Sequence, residues 1–356
     1  MNTDFYLSNP KMISSSAPAP LSPLPLLVVH CDWSTNPKKR WMARAFLGKD
    51  GDYQAFPPER VGNLANLLLQ LAIEAGPGGR LLVGFDFPIG LPDGYASRAG
   101  VDDFLTLLPN LGQGEWADFY TIAELPEQIS LRRPFYPAKP GSSRHSHLLA
   151  GLQVESIDDL RRRCERGRLG RRAAAPLFWT LGGQQVGKAA ICGWREVLTP
   201  ALAGQGIVGQ DALLSYSLSI WPFSGRISDL LQTSRVIVAE TYPAEFYRHL
   251  GIEFSPSHQG RKSGKRSQTD RAANAKCLLQ WAEKNRLALD PSLQAILLEG
   301  FGPSRAGEDP FDATIGLFGM LNVVLGYRPP GEPQDERIRR VEGWILGCSW
   351  GQTDIL

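Results

Sequence analysis

The sequence predicts an α/β protein: a mixed five-stranded sheet with helices on both faces and a large, mostly helical insert between strands 4 and 5. Three observations carry this. Short apolar runs at 26–31, 80–85 and 235–239 each end on an acid, as buried strands do when they reach a sheet edge. Helical spacing of apolar residues follows several of these runs. A Gly- and Pro-rich stretch of irregular pattern separates the last two runs. The 356 residues are 43% hydrophobic and 21% charged, which is enough apolar surface to bury a large core and excludes disorder throughout. No run of about 18 apolar residues occurs, so no membrane span is expected. A net charge of +2, from 38 basic and 36 acidic residues, excludes an overall polycation but leaves room for local basic patches. Five cysteines without a C-x-x-C pair point to a reducing, cytoplasmic setting rather than a disulfide scaffold.

Residues 1–25 read as a disordered leader, because the stretch from Ser14 to Pro25 is rich in Pro, Ala and Ser. Leu26 to Asp32 is the first strand. The alternating stretch from Arg40 to Leu47 is the second, and after the Gly48–Gly51 turn the segment Tyr53 to Phe56 is the third. Pro58 opens a helix to about Ala75, with Val61, Leu64, Leu67, Leu68, Leu71 and Ala72 on one face, and Gly76–Gly79 ends it. Arg80 to Asp86 is the fourth strand. The insert at 91–234 holds amphipathic pieces at 103–108, 157–168 and 189–198. Arg235 to Glu240 is the fifth strand. Helices follow from Thr269 to Asn285, Pro291 to Glu299 and Asp309 to about Leu325, and Val341 to Leu346 reads as a terminal strand. The core thus falls in two parts, 26–90 and 235–350. Three strands, a helix and two further strands, in that order, match the ribonuclease-H-like fold.

Asp32, Asp86 and Glu240 directly follow apolar runs, so the sheet edge gathers carboxylates that repel one another unless a cation sits among them. Asp309 and Asp312 lie three residues apart at a helix start, on one face and favoured by the helix dipole. Each acid alone reads equally well as a strand end or a helix cap. Together they form a set of hard oxygen ligands suited to Mg²⁺ or Mn²⁺, ions that promote phosphodiester hydrolysis.

The segments Phe85–Pro92, Glu240–Phe246, Asp309–Gly316 and Glu342–Leu346 together resemble domain-of-unknown-function family 429, whose members are regarded as ribonuclease-H-like, predicted nucleases. The resemblance runs from about Leu26 to Leu346. It implies that Asp32 is the first-strand acid, Asp86 the fourth-strand acid, and Asp309 with Asp312 the acids of the last core helix. Glu240 is placed less firmly by it.

Gly182 to Lys188 fits G-x-x-x-x-G-K, but Ala189 stands where a phosphate loop has Ser or Thr. Gln185 and Lys188 are therefore expected to reach substrate, with Lys188 steadying negative charge as phosphate is attacked, or else to lie in a glycine-packed turn. Arg132, Arg133 and the arginines from Arg161 to Arg172 make the insert locally basic. Lys265 and Arg266 close a second basic loop, 261–266. Basic loops beside an acidic site suit a phosphate backbone, so nucleic acid, DNA or RNA, is the expected partner; a solvated face is the other reading. His145 and His147 lack a third soft ligand and read as a surface loop, Cys31 and Cys192 as small buried hydrophobes, and Trp179, Trp194 and Trp221 as packing for the insert. The expected function is a metal-dependent phosphodiester hydrolase, a nuclease. An ATP-dependent phosphotransferase or ATPase on the same core, and a non-catalytic nucleic-acid or small-ligand binding protein, remain as alternatives.

Overall fold

The computed structural model describes residues 19–62, 64–167, 172–182, 186–204, 217–254 and 264–349. Its centre is a mixed eight-stranded sheet: β1 (Leu27–Asp32), β2 (Trp41–Leu47), β3 (Tyr53–Ala55), β4 (Glu59–Arg60), β5 (Leu81–Phe85), β6 (Leu218–Ile220), β7 (Val236–Glu240) and β8 (Ala288–Leu289). The order is β6-β7-β5-β1-β2-β3-β8, with β4 also on β2. β1, β2 and β3 form an antiparallel meander, whereas β5, β7 and β6 run parallel to β1 on its other side. β1, β5 and β7 are buried along their whole length, which is why their sequences read as unbroken apolar runs.

Alternate residues of these strands feed two cores. Leu27, Val29, Cys31, Val83, Phe85, Val236 and Val238 face one core, shared with the 91–204 region. Val28, Leu82, Ile237 and Ala239 face the other, built on the helices Gln268–Lys284 and Glu308–Val324. The second of these helices is buried from Pro310 to Val324, largely apolar except for Asp312, Thr314 and Asn322, and packs on the sheet. Glycine allows that contact: a Cβ on Gly316 would stand 2.2 Å from the His30 ring, and one on Gly319 2.0 Å from Phe246.

Several expectations are corrected. The sheet has eight strands, not five, because β4, β6 and β8 are only two or three residues long and carry no readable period. The helix expected from Pro58 begins at Leu67: Arg60 pairs with Trp41 in β4, its guanidinium 4.2 Å from the Trp41 ring, and Glu59 binds Arg44 at 3.0 Å. The stretch assigned to the insert ends in β6, a sheet strand beside β7. Val341–Leu346 is not a strand. Ile338–Glu342 is a wide helical turn, Gly343 breaks it at φ +67°, and Ile345 makes a single parallel bridge to Glu240. Residues 1–18 of the expected leader lie outside the described residues, but Leu21 is buried and its N–H donates to the Val324 carbonyl at 2.9 Å. Among the described residues no helix is long and apolar enough to cross a membrane, and no disulfide is formed.

Gly316→Ala tests the helix-on-strand contact. Alanine is intrinsically the better helix former by about 1 kcal/mol. Because its methyl group has no room against His30, the variant should nonetheless unfold at lower urea, losing about 1–3 kcal/mol. An unchanged or raised midpoint would contradict the contact.

Candidate functional site

The register of the three central strands decides which side chains meet. Cys31 pairs with Phe85, and Phe85 with Glu240, so these three share a row. The next row along is Asp32, Asp86 and Thr241; alternation points it to the opposite face, toward the start of the 308–324 helix. All three line one cavity of about 540 Å³, together with Asp309 and Asp312. Glu240 lines the cavity too, from the adjacent row, so all five acids expected in the site border it.

Burial governs their charge. Asp32 is pushed well above the ordinary carboxylate range, first by desolvation and then by the neighbouring Asp86, Asp312 and Asp309. Asp86 is pushed up from 3.8 to about 7 by burial, although the Trp33 backbone N–H donates to its Oδ1 at 2.6 Å and it shares a hydrogen bond with Asp32. Burial likewise raises Asp309, against the pull of Lys39. Asp312 is raised by burial but is the best compensated: Tyr247 Oη donates to Oδ1 at 3.0 Å and Lys265 Nζ donates to Oδ2. Burial alone would lower Lys265, yet the Asp312 carboxylate outweighs it and holds the ammonium above its usual range. Lys265 also reaches Glu308 at 3.4 Å.

The remaining expected site residues are placed elsewhere. Glu240 lines the cavity but its carboxylate is committed: Arg162, fully buried, binds both oxygens at 2.5 Å, and the Ile89 N–H donates to Oε2 at 2.7 Å. The pair ties β7 to the segment at 162–165, and a metal-ligand role for Glu240, as expected, would have to compete with Arg162 for both oxygens. Lys188, expected at the site of attack, lines a neighbouring cavity; the lysines lining the carboxylate cavity are Lys39 and Lys265. Phe178–Leu181 before the glycine motif is not a strand, since Trp179 makes only an isolated bridge to Tyr136. Gln185 lies outside the described residues, as do Gly183, Gln184, Arg168, Arg171 and Arg261–Ser263. Arg132 and Arg133, expected to bind substrate, are engaged in contacts within residues 99–133 and do not line the carboxylate cavity. Arg132 donates to the Ala99 carbonyl, pairs with Glu115 at 2.8 Å and covers Trp116; Arg133 donates to the Thr121 and Ile122 carbonyls. Arg266 is exposed, 3.9 Å from Glu308. His145 and His147 open a helix rather than a loop; His147 bonds the Tyr136 hydroxyl and His145 packs on Trp179. Trp194 and Trp221 are fully buried.

Three lining or supporting residues escaped the sequence reading, Lys39, Thr241 and Tyr247, whereas Arg172, one of the arginines that made 161–172 read as basic, does line the cavity. Thr241 had a signal, being the residue after Glu240 and hence in the row of Asp32 and Asp86. Its hydroxyl is buried at the cavity wall without a hydrogen-bond partner among the described residues. Among those residues no three His, Cys, Asp or Glu side chains stand in a ready-made metal-holding group, Lys265 supplying the positive charge at Asp312. The Asp32–Asp86 pair nevertheless fits a hard divalent cation, since Mg²⁺ is commonly held by one or two carboxylates plus substrate phosphate and water. The orphaned Thr241 hydroxyl fits a polar ligand in the same cavity.

The chain matches no protein-family model, no curated protein and no solved structure.

The raised carboxyls make stability pH-dependent. Asp86 binds its proton more tightly folded than unfolded, so its contribution is fully present below about 4 and is lost as pH rises through about 7. In chelator, the unfolding free energy should therefore fall between pH 4 and pH 8. Asp86→Asn, which retains an acceptor for the Trp33 N–H, should flatten that fall in urea titrations. A pH slope identical in the variant would contradict the burial of this charge.

Proposed function

We propose that the protein is a divalent-cation-dependent phosphodiester hydrolase, a nuclease, built on a ribonuclease-H-like core. The observation that carries this reading is the row of Asp32 and Asp86 facing the helix acids Asp309 and Asp312 across one cavity, with the cations Lys39, Arg172 and Lys265 also lining it. The strand path β3-β2-β1-β5-β7, antiparallel in its first three members and parallel thereafter, supports the core assignment. Membership of domain-of-unknown-function family 429, implied by the motifs at 85–92, 240–246, 309–316 and 342–346, belongs to the same proposal.

Asp32 and Asp86 would hold Mg²⁺ or Mn²⁺, with Asp309 beside them. Such an ion, when bound, polarises a phosphoryl oxygen and makes water a nucleophile near neutral pH. The chain's own groups do the rest. Lys265 neutralises Asp312, so the helix-start acids repel an incoming phosphate less. Lys39 and Arg172, both exposed on the cavity wall, are placed to offset the substrate's charge. Trp33, donating its N–H to Asp86, fixes that carboxylate's orientation. The ATPase alternative loses support, because Lys188 is away from the carboxylates and no strand precedes the glycine motif.

Hydrolysis of bis(4-nitrophenyl) phosphate and of short oligonucleotides should require Mn²⁺ or Mg²⁺, and should fall at least about 100-fold in Asp86→Asn. Cleavage that persists in that variant, or no metal-dependent cleavage by wild type, would overturn the reading. The second outcome, with salt-sensitive nucleic-acid binding retained, would leave a binding protein.

A further inference from the structure

A second cavity of about 470 Å³ adjoins the carboxylates, and Thr35 lines both. The Val186–Gly193 helix also serves both: Val186 and Ala189 face the first cavity, while Lys188, Ile191 and Cys192 face the second. The ridge between them is held in place by Arg40, which is 1% exposed. Its Nε donates to the Ser34 carbonyl at 2.6 Å, Nη2 reaches Cys192 Sγ at 2.6 Å, and Nη1 pairs with Glu196 at 2.7 Å.

That last contact sets the charge of the cavity. Glu196 is the acid on its wall, and Arg40 neutralises it. The two remaining charged lining groups are Lys188 and Arg195. Lys188 makes no hydrogen bond or ion pair among the described residues, and the Arg195 guanidinium lies 5.6 Å from the ring centre of Tyr120, which lines the same cavity. Two cations beside a half-buried aromatic ring and a guanidinium plane are the groups on which a phosphate and a stacked base rest.

We propose that this cavity seats the nucleotide next to the reacting phosphodiester, with its phosphate on Lys188 and Arg195 and its base against Tyr120. The substrate is then a single nucleic-acid strand that crosses the Thr35 ridge, not a mononucleotide. The proposal rests on the hydrolase reading for the identity of the first cavity, but it is tested by binding alone.

The test is fluorescence anisotropy of labelled eight-nucleotide DNA and RNA single strands in EDTA, where no cleavage intervenes. Lys188→Gln/Arg195→Gln keeps most of both side-chain stems, and Lys49→Gln/Lys276→Gln removes the same charge from exposed positions elsewhere. The first variant should bind at least about tenfold more weakly, with a salt slope shallower by about 1.4 for two lost phosphate contacts, and the control should stay near wild type. Preference for the RNA or the DNA strand would identify which polymer the cavity serves. Equal affinity of wild type and the Lys188/Arg195 variant, an equal loss in the control, or no binding by wild type would overturn the proposal. Weakened binding in that variant without cleavage by wild type would uphold it while removing the hydrolase reading.

Discussion

The arrangement depends on the close contact of the Glu308–Val324 helix with β1 at Gly316 and His30. The missing side chain at Gly316 brings the helix down onto the strand, and His30 Nδ1 meets the Ala313 carbonyl at 3.1 Å. From that contact, four residues back along the helix cover about 6 Å and reach Asp312. Two residues forward along the strand cover about 6.6 Å and reach Asp32. The two carboxylates thus face the same cavity because one contact fixes both offsets. Burial holds the His30 pKa down at about 3, so the ring stays neutral and adds no charge beneath the acids.

The cost of this geometry is electrostatic. Asp32 and Asp312 are buried, Asp86 is half-buried, and all three are held above their ordinary range, which means that desolvation and mutual repulsion exceed the compensation they receive. Only Asp312 has a full set of partners, in Tyr247 and Lys265. Asp32 and Asp86 share a hydrogen bond with each other, an arrangement that a divalent cation would replace. Carboxyls perturbed in this way, next to a Thr241 hydroxyl without a partner among the described residues, are the grounds on which the proposed site rests.

Much of this was legible in the sequence. Apolar runs ending in acids located β1, β5 and β7, and the Asp309–Asp312 spacing located the helix start, because both signals are local. What escaped depended on pairing. Glu240 ends its strand just as Asp32 does, yet the register sets it one residue out of phase, on the opposite face, where Arg162 takes it. Thr241, in phase, looked inert. Lys188 and Lys265 were indistinguishable as lysines in glycine-containing segments; their positions around the cavity are set by contacts between residues far apart in the chain. β4, β6 and β8 exist only through their partners. Arg132 and Arg133 looked like a phosphate-binding pair, but they also donate to the nearby Ala99, Thr121 and Ile122 carbonyls and to Glu115, contacts that no local pattern announces.

Under the proposed function, Asp32 and Asp86 hold a divalent cation between them. Calorimetric titration of Mn²⁺ into the wild-type protein and Asp32→Asn, with a short phosphodiester analogue present to supply the remaining oxygen ligands, tests it most directly. Saturable binding in the wild type should disappear in the variant. Binding of equal strength in both, or none in either, would contradict it.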